Sequence, residues 1–190
     1  MNGHVTTYSM KSSFAAAAFL WAAMVAAAQA GHYEPAQEFI DNPDAFPACH
    51  TKSGKPVRYL YGAHIIGIPA QSTLEKNKVT GEYEARIIYS PGFNKLSVEE
   101  QRFAAEHECA HHRRGHFEGG LDNMSAARRN ALEREADCEA VLALRKKGAY
   151  TPFQLKQGMA TILKYEKSIR YSSGPERFAH TLRCLNDAAL

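Results

Sequence analysis

The chain has 190 residues, with 23 Lys and Arg against 20 Asp and Glu, for a formal net charge of +3. That length suits a single domain. So small a charge excess gives no argument for nucleic acid, which would need a strongly basic face, and no nucleic-acid partner is expected.

The chain opens with a leader. Lys11 is the only charge before Glu34, and an apolar run, FAAAAFLWAAMVAAA, fills residues 14 to 28. The run is shorter than the roughly 20 apolar residues of a transmembrane helix. It matches the apolar core of a secretory signal peptide, with AQA at Ala28 to Ala30 as its cleavage site. Met10, directly before Lys11, suits such a signal better as a start than Met1 does. The competing readings are an uncleaved anchor and a buried Ala-rich helix. The expected domains are a signal peptide over 1–30 and one domain over 31–190. Cleavage would remove Lys11 alone among the charged residues, so the net charge falls from +3 to +2. No later stretch reads as an integral membrane span, and a periplasmic or secreted product is expected.

Residues 31 to 56 are rich in Pro, His, Asp and Asn and read as irregular. VRYLYGAHIIGI (57–68) is β-branched and aromatic, a predicted strand. Its expected partner is YEARIIYS (83–90), reached through a polar stretch with a turn near Thr80 and Gly81. Pro91 and Gly92 end that strand. The rest reads as helical. Ser97 to Glu100 is a capping box opening a helix to about Arg114, with Gly115 as its stop. A second helix runs from about Ser125 to Lys147 and stops at Gly148. Thr151 to Gln154 caps a third helix, with Pro152 in its first turn and Leu155, Met159 and Ile162 as a core stripe. Ser173 opens a last helix through about Asn186. The expected class is α+β, a small antiparallel sheet followed by a helical majority.

The chemistry concentrates in EHECAHHRRGH, residues 106 to 116. His107-Glu108-Cys109-Ala110-His111 reads H-E-x-x-H. On a helix, positions four apart differ by about 40° of rotation, so His107 and His111 share a face and can hold one metal ion. Glu108 sits about 100° round, beside the ion rather than on it, where a base for metal-bound water belongs. With 9 histidines and 15 glutamates, composition alone yields this pattern about 0.03 times, so context decides.

A catalytic zinc needs three protein ligands and one open position. ALEREADCEAV (131–141) lies on the second predicted helix, where Glu133 and Asp137 again share a face. Glu133 can complete a His, His, Glu set, and Asp137 can accept the free ring N–H of a ligand histidine. Glu135 competes with Glu133 but lies about 160° from Asp137. The plainer reading makes these acids solvated helix charges paired with nearby arginines. His112 points away from His111, and His116 either caps the helix end or lies near the site. His32, His50, His64 and His180 read as surface or satisfied histidines. Arg114 and Phe117 stand where the metzincin pattern needs Gly and His, which rejects that family.

HECAH followed by EREAD resembles gluzincin-type zinc metallopeptidases. The likeness is to the group with a downstream E-x-x-A-D, which includes the prenyl-protein protease, the heat-shock membrane peptidase and periplasmic quality-control peptidases. It covers residues 97 to 140, and its short gap between motifs is also similar to compact peptidases that cleave repressor or antitoxin proteins. The resemblance implies a zincin-like core and a Zn2+ peptidase with His107, His111 and Glu133 as ligands. It implies Glu108 as base, Asp137 behind a ligand, and a peptide or protein as substrate. It also implies an edge strand before the active-site helix, and EARIIYS is the expected one. The substrate would lie antiparallel to that strand near Ile87 and Ile88.

In this expectation Glu108 takes a proton from zinc-activated water and passes it to the leaving amine. Tyr165, Tyr171, Arg177 and His180 are the candidates for stabilising the oxyanion. The alternative is a non-catalytic zinc-binding or chaperone-like module, for which an acid at position 108 has no use. The four cysteines, an even number in an exported chain, suggest two disulfides with three possible connectivities. Cys109 points away from the metal face. The favoured connectivity is Cys109 with Cys138, joining the two ligand helices, and Cys49 with Cys184.

Overall fold

Ser97 starts the helix around which the rest is arranged. In a computed structural model of the protein, its hydroxyl accepts from the Glu100 N–H at 3.3 Å, and Glu100 Oε2 accepts from the Ser97 N–H at 2.9 Å. This reciprocal cap opens helix α1, Val98–Arg114. Gly115 ends it at φ 70°, a left-handed conformation that costs glycine nothing. The structure describes residues 34–35, 46–65, 67–117, 124–148, 150–163 and 173–187, which all fall within one compact unit, residues 33–190. The expected signal peptide and cleavage site, and both candidate tyrosines, Tyr165 and Tyr171, lie outside the described residues.

The other helices follow the expected caps. The Ser125 hydroxyl accepts from the Arg128 N–H and opens α2, Ala126–Lys146. Thr151 and Gln154 form a reciprocal pair at the start of α3, Pro152–Leu163. Ser173 and Glu176 do the same for α4, Gly174–Asp187.

The sheet departs from expectation. Its four strands are β1 (Glu34–Pro35), β2 (Arg58–Tyr61), β3 (Ala70–Lys76) and β4 (Tyr83–Tyr89), in the order β1-β2-β4-β3. β2 covers only four residues of the predicted 57–68 strand and pairs with β4 in parallel, Arg58 opposite Arg86. The stretch read as a polar connection is itself β3, antiparallel to β4 from Ala70 opposite Tyr89 to Lys76 opposite Tyr83. The sheet is therefore mixed. Ile87, Ile88 and Tyr89 are buried because β4 has a neighbour on each side, as its near-continuous apolar run requires.

α1 lies between two cores. On one side Ala105 and Cys109 pack with Cys49, Val57, Ala85, Ile87, Tyr89 and Phe93 of the sheet layer. On the other, Phe103 packs with Val141 and Leu144 of α2, Leu155, Met159 and Ile162 of α3, and Leu185 of α4. Fully burying a side chain of this size contributes about 1.5–3 kcal/mol. Gly158 makes the α3 crossing possible, since a Cβ there would sit 2.6 Å from the Glu99 carbonyl oxygen.

Both disulfides form, with a different pairing from the favoured one. Cys49 bonds Cys109, and Cys138 bonds Cys184. Cys109 faces the sheet layer, away from the side where α2 brings Glu133, so it cannot meet Cys138. The bridges instead tie the segment before β2 to α1, and α2 to α4. Two disulfides fit an oxidising, non-cytoplasmic compartment. Among the described residues, no helix is long and apolar enough to cross a membrane.

Candidate metal centre

Helix α1 is polar in composition yet buried. Glu106, His107, His111 and His112 are each less than 9 % exposed. A buried polar group must be partnered, so each of these side chains has something to answer to. Glu106 accepts from Arg113 at 3.1 and 3.2 Å and from Lys147. His112 Nε2 meets the Arg86 carbonyl at 3.0 Å. His107 and His111 turn toward each other.

Their Nε2 atoms are 3.2 Å apart. Glu133, delivered by α2, places Oε2 3.4 Å from His107 Nε2 and Oε1 3.7 Å from His111 Nε2. Together the three residues form a group able to hold a metal ion. The spacing has a chemical meaning. Tetrahedral ligands at about 2.0–2.1 Å from zinc stand about 3.3 Å from one another. His107 Nε2 stands close to that value from both His111 Nε2 and Glu133 Oε2, while the 3.7 Å approach to His111 is made by the other carboxylate oxygen, so the donor set fits a divalent ion such as zinc.

The rear of the site is fixed by an acid and a base. Asp137, fully buried, lies with Oδ1 2.9 Å from His107 Nδ1. That arrangement leaves Nε2 of the same ring for a metal. Arg177 of α4 spans Asp137, Nε to Oδ2 and Nη2 to Oδ1 both at 2.8 Å, and its Nη2 reaches Glu133 Oε2 at 3.2 Å. Arg177, a candidate for stabilising the oxyanion, lines the pocket while its Nε and Nη2 hold the two carboxylates. His180, another candidate, does not line the pocket and lies near the Cys138–Cys184 bridge, 3.9 Å from Cys184 Sγ.

Charge within the cluster follows from these contacts. Burial pulls the His107 imidazolium down, but Asp137 and Glu133 more than reverse this and raise its pKa to about 10. For His111, burial and then the His107 charge lower it to about 3. Burial works against the Glu133 carboxylate, yet His107, His111 and Arg177 hold it at about 2. Without a metal, a proton on His107 thus supplies the positive charge that the two acids demand.

Glu108 is set apart. It lines the same pocket, of about 500 Å3, as His107, His111 and Glu133. Burial raises its pKa, opposed by the His107 charge and by hydrogen bonds from Ser72.

The wall opposite the helices is β3, not β4. Ile68 to Ser72 line the pocket. β4 is paired on both sides and has no free edge for a substrate, so the expected docking near Ile87 and Ile88 is corrected. Among the described residues β3 pairs only with β4. The Ser90 N–H donates to the Pro69 carbonyl. With the alternation of an antiparallel ladder, this turns the backbone groups of Ala70, Ser72 and Leu74 to the open side. Ser72 Oγ also donates to the Glu108 carbonyl at 2.7 Å, pinning β3 to α1.

His116 and Glu135 complete the surroundings. His116 Nδ1 lies 2.9 Å from His111 Nδ1, and its Nε2 lies 3.3 Å from Glu135 Oε2. Glu135 is thus no ligand, though it still touches the cluster through an imidazole. The sequence signal for His116 was its place directly after the helix-ending Gly115. Comparisons with protein-family models, curated proteins and solved structures found no match.

Proposed function

We propose that the chain is an exported zinc-dependent metallopeptidase with a zincin-like core, periplasmic or secreted, acting on peptides or proteins. The observation that carries this reading is the convergence of His107, His111 and Glu133, with the two Nε2 atoms 3.2 Å apart and Glu133 Oε2 3.4 Å from His107 Nε2, and Glu108 lining the same pocket. Zinc, when bound, supplies Lewis acidity that brings the pKa of water to around 7 and polarises a carbonyl. His107, His111 and Glu133 hold the ion, and Asp137 fixes the His107 ring. Glu108 takes the proton from the attacking water and returns it to the leaving amine. The open edge of β3 pairs with the substrate backbone as an added strand, which aligns the scissile bond along the pocket. Two disulfides support an oxidising compartment.

The test is a comparison of the wild type with Glu108→Gln, each purified without the leader and loaded with zinc, on an unfolded protein mixture. The peptidase reading expects equal zinc content and cleavage by the wild type alone. Zinc in both with cleavage by neither favours the non-catalytic binding module.

A further inference from the structure

We propose that His116 and Glu135 form a second relay that orients the ligand ring of His111, as Asp137 orients His107. The inference rests on the zinc reading above and adds positioning residues to it. The helix end builds the contact. Gly115 N–H donates to the His112 carbonyl at 3.1 Å, and His116 N–H donates to the His111 carbonyl at 3.0 Å. This pair of bonds is a Schellman motif, which folds the residue after the glycine back onto the last turn. The motif normally places an apolar side chain there. Here it places an imidazole edge-on to His111, ring centres 5.0 Å apart and planes at 80°.

The tautomers then follow. A His111 that binds metal through Nε2 carries its hydrogen on Nδ1. That N–H donates to His116 Nδ1, 2.9 Å away. His116 must therefore hold its own hydrogen on Nε2, which lies 3.3 Å from Glu135 Oε2 without hydrogen-bond alignment in this structure. Each atom has one role, and the series ends on a carboxylate whose side chain is 52 % exposed. Both histidines thereby present Nδ1 to a neighbouring side chain, Asp137 for His107 and His116 for His111, leaving both Nε2 atoms for the ion.

Zinc affinity, measured by chelator competition, tests the relay together with the melting temperature of metal-free protein. His116→Phe keeps an apolar contact at the helix end but removes the acceptor. Zinc binding is expected to weaken about 10–100-fold, in line with other partners behind metal ligands, with little change in metal-free melting. His116→Asn, which offers an oxygen near the place of Nδ1, is expected to recover most of the loss. Unchanged affinity in His116→Phe, or no recovery in His116→Asn, overturns the relay. Should His116→Phe fail to fold, Glu135→Gln at the half-exposed end is expected to weaken zinc several-fold, and unchanged affinity there overturns it. Wild-type protein that holds no zinc overturns the relay and the metallopeptidase reading together, whereas zinc held equally by all variants sinks only the relay.

Discussion

Arg177 grips Asp137 with two hydrogen bonds of 2.8 Å, joining the last helix to the acid behind His107. Both side chains are buried, Asp137 completely. Removing Arg177 leaves the Asp137 carboxylate with His107 Nδ1 as its remaining neighbour, at a cost of up to about 3–5 kcal/mol. Arg177→Met is expected to lower metal-free stability by that amount in urea melts. Arg177→Lys keeps the charge but loses the fork, and should fall between. A melt of Arg177→Met that matches the wild type would show that the pair contributes nothing to folding.

Glu139 gives the protein an acid-sensitive link between α1 and α2. Burial alone would raise its pKa, but Arg113, at 2.7 Å, and Arg114 hold it below the usual carboxylate range. A carboxyl with a depressed folded pKa stabilises above its unfolded value, near 4.3, and loses that contribution as pH falls through the folded value. Glu139→Gln should cost about 1 kcal/mol at pH 7, consistent with a partly exposed pair. The difference from the wild type should vanish as the pH drops below about 4. Parallel urea melts across pH check this, and a difference independent of pH would rule out the ion pair as its source.

Gly158 offers a clean conflict between propensity and packing. Alanine in a helix interior is favoured over glycine by about 1 kcal/mol. At this position its Cβ would meet the Glu99 carbonyl oxygen at 2.6 Å, which is backbone and cannot swing aside. Gly158→Ala is therefore expected to melt below the wild type. A rise in melting temperature would show that α3 does not approach α1 as closely as described.

The disulfides link each ligand helix to a separate neighbour. Non-reducing peptide mapping should recover Cys49 with Cys109 and Cys138 with Cys184. Loops of 60 and 46 residues put the unfolded-state constraint of each at roughly 4 kcal/mol in the chain-entropy treatment. Replacing either pair by serine should lower stability by up to that amount. A Cys109–Cys138 peptide would contradict the packing of α1 against the sheet layer.

Much of the helical part was legible because caps and stops are local. Ser97 with Glu100, Thr151 with Gln154, and Ser173 with Glu176 each satisfy their own helix end, so a few residues suffice to see them. Which candidate residues share a helix face was legible for the same reason, since helical phase sets His107 beside His111 and Glu133 on the face of Asp137. What failed depended on how elements meet. β3 is hard to read because AQSTLEK has few β-branched residues, and its strand character comes from pairing with β4. The parallel register of β2 is a matter of topology, which no short window contains. The disulfide expectation failed on rotation. The turn that took Cys109 off the metal face also took it away from α2. Arg177 was picked out as a charged residue near the site, but its partners lie 40 and 44 positions back along the chain.

The most direct measurement of the central claim is zinc content alongside protein cleavage in wild-type and Glu108→Gln protein. One zinc per chain is expected in both, with cleavage of an unfolded protein by the wild type and none by the variant. Absence of zinc from purified wild-type protein supplied with the metal would contradict the site. Equal cleavage by both proteins would contradict the role given to Glu108.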